Sequence, residues 1–146
     1  MAFKIVVGYD GSDGAKAALD EAVRLAKELS GKVLVTYAFG GPRQYSGAPL
    51  TPRKRLQEMG AQVLEDALEG LEQSGVAAEP ILVDDNAYQG LMSVADQHDA
   101  MMIVVGTHGE SLISAVLLGS TAYRLVHTST KPVLVVPTRK TKESAD

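Results

Sequence analysis

The sequence predicts an α/β domain with a mainly parallel sheet. Apolar, strand-like runs alternate with segments of helical periodicity along the chain, which is the order expected when helices cover both faces of a sheet. The first run, residues 3–7 (FKIVV), shows no polar alternation, as is typical of a strand buried on both faces. The crossovers between such strands are expected to be right-handed.

In the first half of the chain, the strand at 3–7 is followed by a turn and a helix. Ser12 followed by Asp13 predicts the helix cap, and apolar residues recur at helical spacing until Gly31. Residues 32–39 (KVLVTYAF) predict a second strand, and the Gly- and Pro-rich stretch 40–50 predicts a long loop.

The second half repeats the alternation. Thr51 as cap and Pro52 as first helical residue predict the start of a helix that ends at 74–75. Pro80 cannot donate to a sheet ladder, so a third strand at 77–83 is expected at an edge. The remaining predicted elements are a helix at 88–97, a strand at 101–105, a helix from about Ser120 to Thr128, and a strand at 131–137.

Composition excludes several classes of protein. The 146 residues suit one domain, expected at 1–138 with a polar tail at 139–146. A net charge of −4 gives no global attraction to nucleic acid or membrane, so neither is an expected partner. The absence of cysteine excludes thiolate zinc sites and cysteine nucleophiles. The apolar run at 5–7 is too short for a signal peptide or membrane span, so a cytoplasmic protein is expected.

The stretch 106–121 (GTHGESLISAVLLGST) carries the candidate site. In open parallel sheets, ligands lie beyond the carboxyl ends of the strands, and this stretch follows the fourth strand. Gly106 and Gly109 can adopt positive φ and approach a ligand, and successive amides there can bind an anion. Gly119-Ser120-Thr121 opens a helix, whose N-terminus also favours an anion. The alternative is that the glycines only form a turn and Ser120 only caps a helix.

This pattern, Gly, two residues, Gly, nine residues, Gly-Ser, resembles the nucleotide signature of the universal stress protein family in its ATP-binding branch. The stretches KIVVGYDGS, VLVTYAF, DAMMIVVGTHG and STKPVLVVP are also similar to that family, so the resemblance covers nearly the whole chain. It implies a doubly wound five-stranded parallel sheet of order 3-2-1-4-5, with helices on both faces, and a dimer.

The resemblance also implies a binding site for ATP with Mg²⁺ or Mn²⁺. It places Asp10 near the adenosine with Gly8 beside it, and the backbone of Tyr37 at the adenine edge. It assigns the phosphates to Gly106, Thr107, His108, Gly109, Glu110, Gly119, Ser120 and Thr121. Asp10 has an alternative role, accepting hydrogen bonds from the amides of the first helix.

Two positions depart from the family pattern. Glu110 stands where many relatives have arginine, and Ala115 stands where a further basic residue is often found. Two like charges 4 Å apart repel by roughly 4 kcal/mol at an effective dielectric of 20, so Glu110 is expected to point outward or to share a divalent ion with the phosphates. The basic residues that could replace the missing charge, or form a solvated patch instead, are Arg43, Arg53, Lys54 and Arg55.

Catalytic motifs are absent from the sequence. His98, His108 and His127 lack the spacing of a metal pair, and no nucleophile elbow, P-loop lysine or HExxH motif occurs. The expected function is an ATP-binding stress-response regulator, not an enzyme, with at most slow ATP hydrolysis. The first alternative is a homodimeric interaction module that binds no nucleotide. The second is an ATP-using enzyme such as an adenylating pyrophosphatase. That class needs an SGGxDS-type loop after the first strand, and the sequence YDGSDG at that place does not match it.

The last strand predicts a way to form a dimer. Val133 to Val136 lies at the sheet edge in the order that the resemblance implies, and an uncovered apolar edge favours pairing with a second copy across a two-fold axis. A homodimer through this strand is therefore expected. Alternatively, Pro132 and Pro137 blunt the edge and keep the chain monomeric.

Overall fold

A computed structural model describes residues 3–40, 52–108 and 118–138. They contain a five-stranded, all-parallel sheet of order β3-β2-β1-β4-β5. The predicted fold class and strand order are therefore confirmed. The strands are β1 Lys4–Gly8, β2 Lys32–Ala38, β3 Ala77–Val83, β4 Met102–Gly106 and β5 Val133–Val136.

Helices cover both faces of the sheet. Helix α1 (Asp13–Leu29) and helix α2 (Arg53–Leu71) pack on one face, where Ile5 and Val7 of β1 join their apolar residues. Helix α3 (Ala87–Gln97) and helix α4 (Ser120–Thr128) pack on the other face, against Val6 and Ile103. Strand β1, the middle strand of the sheet, is thus buried on both faces, which explains why its sequence lacks polar alternation.

The start of α1 agrees with the prediction from Ser12. The hydroxyl of Ser12 accepts a 3.2 Å hydrogen bond from the amide of Ala15, which satisfies one of the unpaired amides of the first turn. At the other end, Ser30 and not Gly31 adopts the left-handed conformation, with φ 53°. Gly31 is required for another reason, because a Cβ there would lie 2.7 Å from the carbonyl oxygen of Phe3.

The observed boundaries correct several predicted ones. Pro52 is the N-cap of α2 and not its first helical residue, and Thr51 lies outside the described residues. Helix α3 begins at Ala87, one residue early, because Asn86 caps it by accepting a 3.0 Å bond from the amide of Gln89. Strands β4 and β1 each extend to a glycine, and β5 covers only residues 133–136.

Both sheet edges lie as expected, that of β3 from Pro80 and that of β5 from the family resemblance. Strand β3, which carries Pro80, and strand β5 occupy the two edges, so the edge position predicted from Pro80 is confirmed. In residues 3–40, 52–108 and 118–138, none of the helices combines the length and apolarity needed to cross a membrane.

Candidate functional site

A cleft of about 250 Å³ opens at the carboxyl ends of β1 and β4. These neighbouring strands are where the strand order reverses, since the chain winds from β1 toward β2 and β3 in one direction and toward β4 and β5 in the other. Open α/β sheets bind ligands at this point. The cleft is lined by Gly8, Tyr9, Asp10, Ser12, Ala15, Thr36, Tyr37, Ala38, Ala87, Leu91, Val105, Gly106, Thr107, His108, Gly119, Ser120, Thr121 and Ala122.

Most of the site residues expected from the sequence line this one cleft. They come from three places: the end of β1, the end of β2, and the two ends of the stretch 106–121. The nine residues that the structure brings together are Gly8, Asp10, Tyr37, Gly106, Thr107, His108, Gly119, Ser120 and Thr121. Gly109, Glu110 and Ala115 lie outside the described residues, as does Arg43.

Asp10 is tied to the start of α1 through Ser12. Its Oδ1 atom accepts a 3.0 Å bond from the amide of Ser12 and a 2.6 Å bond from the hydroxyl of Ser12. The same hydroxyl accepts from the amide of Ala15. The Ser12 hydroxyl, and not the Asp10 carboxylate, therefore caps the helix, which corrects the alternative role considered for Asp10. Within the described residues, Oδ2 of Asp10 accepts no hydrogen bond, and this side chain lines the cleft.

Gly106 and Gly119 are needed for contacts within the chain. A Cβ at Gly106 would lie 2.6 Å from the carbonyl oxygen of Gly14, and a Cβ at Gly119 would lie 2.9 Å from that of Thr107. Gly119 has φ −65°, and Gly106 is not among the positive-φ residues of the described part of the chain. The positive φ expected at Gly106 is therefore wrong, and Gly109, the other glycine of that prediction, lies outside the described residues. At Gly106 and Gly119, glycine instead permits close backbone packing.

The N-terminus of α4 faces the cleft. Gly119 is its N-cap and offers no side chain to bind the amides of the first turn, where Ser120 and Thr121 lie. The amide of Gly119 itself donates a 2.6 Å bond to the carbonyl oxygen of Thr107. The bond joins the turn after β4 to the start of α4. The positive end of the helix dipole and the free amides make this a place where an anion is favoured.

The end of β2 presents its backbone to the cleft at Ala38. The carbonyl of Thr36 accepts from the amide of Tyr9, toward β1, whereas the amide of Phe39 donates to the carbonyl of Val83, toward β3. Because backbone groups alternate along a strand, the amide and carbonyl of Tyr37 point toward β3. The amide and carbonyl of Ala38 point in the direction of β1, but β1 ends at Gly8 and offers them no partner strand at this level. The alternation thus favours Ala38 over Tyr37 for a backbone contact to a ligand.

The apolar wall of the cleft was not anticipated from the sequence. Leu91 of α3 and Val105 of β4 lie against the bare Cα of Gly8, at 2.9 and 3.1 Å from the place of a Cβ. Ala38, Ala87 and Ala122 also line the cleft. Alanines at strand and helix ends carry no sequence signal of their own. For Ala38, the alternation of backbone directions along β2 could have indicated a place at the cleft.

Among the described residues, few charged groups lie around the cleft. Arg53 makes a 2.8 Å ion pair with Asp84, both side chains being exposed, and neither Arg53, Lys54 nor Arg55 belongs to the lining. The described segments contain no cluster of three or more potential metal ligands. Tyr9 has a raised pKa, because its phenol is buried and because the carboxylates of Asp10, Asp20 and Asp66 are near.

Together, the sheet order and the cleft at its reversal point define a doubly wound α/β domain with a candidate ligand site. The model of the Universal stress protein family matches residues 1–137. This chain therefore belongs to the universal stress protein family.

Similar proteins match this chain over nearly their whole length. The universal stress protein YxiE of Bacillus subtilis (strain 168) is 31% identical over 144 residues, which cover 91% of this chain and 97% of the relative. The universal stress protein UspA from Lactobacillus plantarum superposes with a TM-score of 0.75 at 25% identity, covering 92% of this chain and 97% of its own. A universal stress protein crystallised in complex with cAMP superposes with a TM-score of 0.73 at 27% identity, covering 94% and 98%.

Proposed function

We propose that this protein binds an adenine nucleotide in the cleft between β1 and β4 and acts as a stress-response regulator. The observation that carries the proposal is that the turn after β4 and the N-terminus of α4 face one cleft and are joined by the Gly119–Thr107 bond. The crystal structure of a similar universal stress protein with cAMP supports the same ligand class. The nucleotide would change the surface that the protein offers to its partners.

Adenine recognition is assigned to the backbone of Ala38. Its amide can donate to N1 of adenine, and its carbonyl can accept from the N6 amino group. Guanine presents the opposite pattern at that edge, with an oxygen acceptor at position 6 and a donor at N1. The site would therefore bind adenine compounds in preference to guanine compounds. Oδ2 of Asp10, which accepts no hydrogen bond from the described residues, would accept from a ribose hydroxyl.

Phosphate binding is assigned to the start of α4. The hydroxyls and amides of Ser120 and Thr121 are donors at a helix N-terminus, which supplies a partial positive charge where the lining has no arginine or lysine among the described residues. We propose ATP with Mg²⁺ or Mn²⁺ as the ligand. Magnesium keeps several waters and binds largely through substrate phosphates; Asp10, the carboxylate in the described lining, is assigned to the ribose.

The role proposed is binding and not dedicated catalysis. A bound divalent ion and a positioned water would suffice for slow ATP hydrolysis. We assign the site to a single domain at residues 1–138 of a cytoplasmic protein.

A homodimer through β5 completes the proposal. The carbonyl of Pro132 accepts from the amide of Ile103, so that backbone groups of even-numbered residues point toward β4. The amides and carbonyls of Val133 and Val135 therefore point away from the sheet. Within the described sheet no further strand pairs with this apolar edge, which is suited to pairing with the same strand of a second copy.

Calorimetric titration tests the ligand class. The protein is purified without added nucleotide, freed of any bound ligand, and titrated with Mg-ATP, AMP, cAMP and GMP. We expect micromolar binding of at least one adenine nucleotide and at least about tenfold weaker binding of GMP, the loss that one misplaced hydrogen bond causes. If none of the adenine nucleotides binds, the interaction module without a nucleotide becomes the better account.

A further inference from the structure

Gly14 lies behind the cleft and not in its lining. It belongs to the first turn of α1 and is buried. A Cβ on Gly14 would overlap the carbonyl oxygen of His108 and would lie 3.4 Å from the hydroxyl of Thr138. From the other side, a Cβ on Gly106 would lie 2.6 Å from the carbonyl oxygen of Gly14 and 3.0 Å from its Cα. The backbones of α1 and of the turn after β4 are therefore closer than side chains would permit.

Helix formation does not explain this glycine. Glycine is the weakest helix former apart from proline. Glycine at a helical position is therefore favourable only where a neighbouring atom occupies the place that a Cβ would take. Gly70 in α2 is the contrasting case, since a Cβ there would meet nothing within 4 Å. At Gly14, the carbonyl oxygen of His108, a residue of the candidate site, occupies that space.

The same turn of α1 also holds the other side of the cleft. Ser12 caps α1 and donates to Asp10. Through Gly14, the helix contacts the backbone of His108, and the neighbouring Thr107 carbonyl binds the amide of Gly119. A displacement at His108 would consequently reach the N-terminus of α4 by way of a single hydrogen bond.

We propose that Gly14 is a positioning residue for the phosphate side of the nucleotide site. It fixes the backbone at Thr107 and His108 relative to the N-terminus of α4 and touches no ligand itself. This rests on the proposed adenine-nucleotide function. A side chain at position 14 would move the His108 carbonyl away from α1 and weaken phosphate binding, while leaving the adenosine end of the cleft in place.

The test compares Gly14→Ala with Gly70→Ala and the parent. Each protein is titrated with adenosine and with Mg-ATP, and backbone amide shifts are recorded without ligand. For Gly14→Ala, we expect about tenfold or greater loss of ATP affinity, equal to the loss of one charge-assisted hydrogen bond. Adenosine affinity should change less than about twofold. Amide shifts should appear at Thr107, His108 and Gly119 in this variant and at none of them in Gly70→Ala.

Three results would overturn the proposal: unchanged shifts at Thr107, His108 and Gly119, equal losses for adenosine and ATP, or the same ATP loss in Gly70→Ala. A parent that binds neither ligand refutes the proposed function, and the ligand-free shifts then decide whether Gly14 positions the turn. If Gly14→Ala does not fold, amide exchange on the parent decides. Mg-ATP should then slow exchange at Lys16, whose amide binds the Ser12 carbonyl, more than adenosine does. Equal slowing contradicts the proposal.

Discussion

The amide of Gly119 donates a 2.6 Å hydrogen bond to the carbonyl oxygen of Thr107. These residues begin and end a stretch of the chain whose two ends therefore meet at the cleft. The bond sets the distance between the turn after β4 and the first turn of α4. It is thus the contact on which the geometry of the proposed phosphate site depends most directly.

Substituting Gly119 by alanine should disturb this contact. The new Cβ would lie 2.9 Å from the Thr107 carbonyl oxygen, so that one of the two segments must shift. We expect the free energy of unfolding without ligand to fall by about 1–3 kcal/mol, as for other overpacked sites. Urea denaturation measures the change.

Gly70→Ala is the matched control for that experiment. A Cβ on Gly70 meets nothing within 4 Å, and alanine is a better helix former by about 1 kcal/mol. The control should therefore be more stable than the parent. Equal stabilisation of both variants would show that the Thr107 carbonyl shifts away from the new Cβ without lowering the free energy of unfolding.

Ser12 should matter through both of its hydrogen-bonding roles. Ser12→Ala removes the cap of α1 and one of the two donors to Asp10, and loss of such a cap costs about 1 kcal/mol. Urea denaturation should show this loss, whereas Ser12→Thr, which keeps a hydroxyl, should stay near the parent. A Ser12→Ala protein as stable as the parent would mean that the cap contributes nothing.

The buried phenol of Tyr9 predicts an alkaline limit to stability. Its pKa in the folded state is raised above the ordinary value of 10.0 by burial and then by the nearby carboxylates of Asp10, Asp20 and Asp66. Below pH 10.0, the phenol is protonated in both states and has no effect. As the pH rises above 10.0, the unfolded state loses its proton first, and stability is lost until the folded-state pKa is passed.

Tyr9→Phe tests the source of that limit. Unfolding free energies measured from pH 8 to pH 11.5 should fall less steeply in Tyr9→Phe than in the parent. Tyr123→Phe, which alters a 56% exposed side chain, is the control and should keep the parent's slope. Identical slopes in the parent and in Tyr9→Phe would remove Tyr9 as the cause.

The dimer proposal is tested at Val135. Because its amide points away from β4, Val135→Pro removes a hydrogen-bond donor at the free edge without breaking the bonds to β4. We expect sedimentation at micromolar concentration to show a dimer for the parent and a monomer for Val135→Pro. A monomeric parent would favour the alternative in which Pro132 and Pro137 blunt the edge.

The order of helices and strands along the chain could be predicted from the sequence. Because helices cover both faces of the sheet, its inner strands are continuous apolar runs that stand out from the amphipathic helices. Runs such as 3–7 carry the signal of a strand buried on both sides, and Pro80 marks an edge. The order of the strands followed from the family resemblance, since no local pattern says which strands are neighbours. Helix α3 starts one residue before the predicted position because Asn86 caps it.

The sequence predicted which residues line the cleft better than it predicted why glycine stands at two of those positions. The described residues named at the ends of β1, β2 and β4 do line one cleft. However, the glycines at 106 and 119 looked like places for a ligand, and the structure fills the space beside them with Gly14 and Thr107. Such contacts join residues far apart in sequence, and a single sequence does not reveal them.

The most direct test of the central claim is to map an adenine nucleotide onto the labelled protein by backbone amide shifts. Mg-ATP or cAMP should shift the amides around the cleft, above all Gly8, Ala38, Thr107, Ser120 and Thr121, while GMP at the same concentration should not. Shifts confined to other surfaces, or no shifts at millimolar nucleotide, would contradict the account.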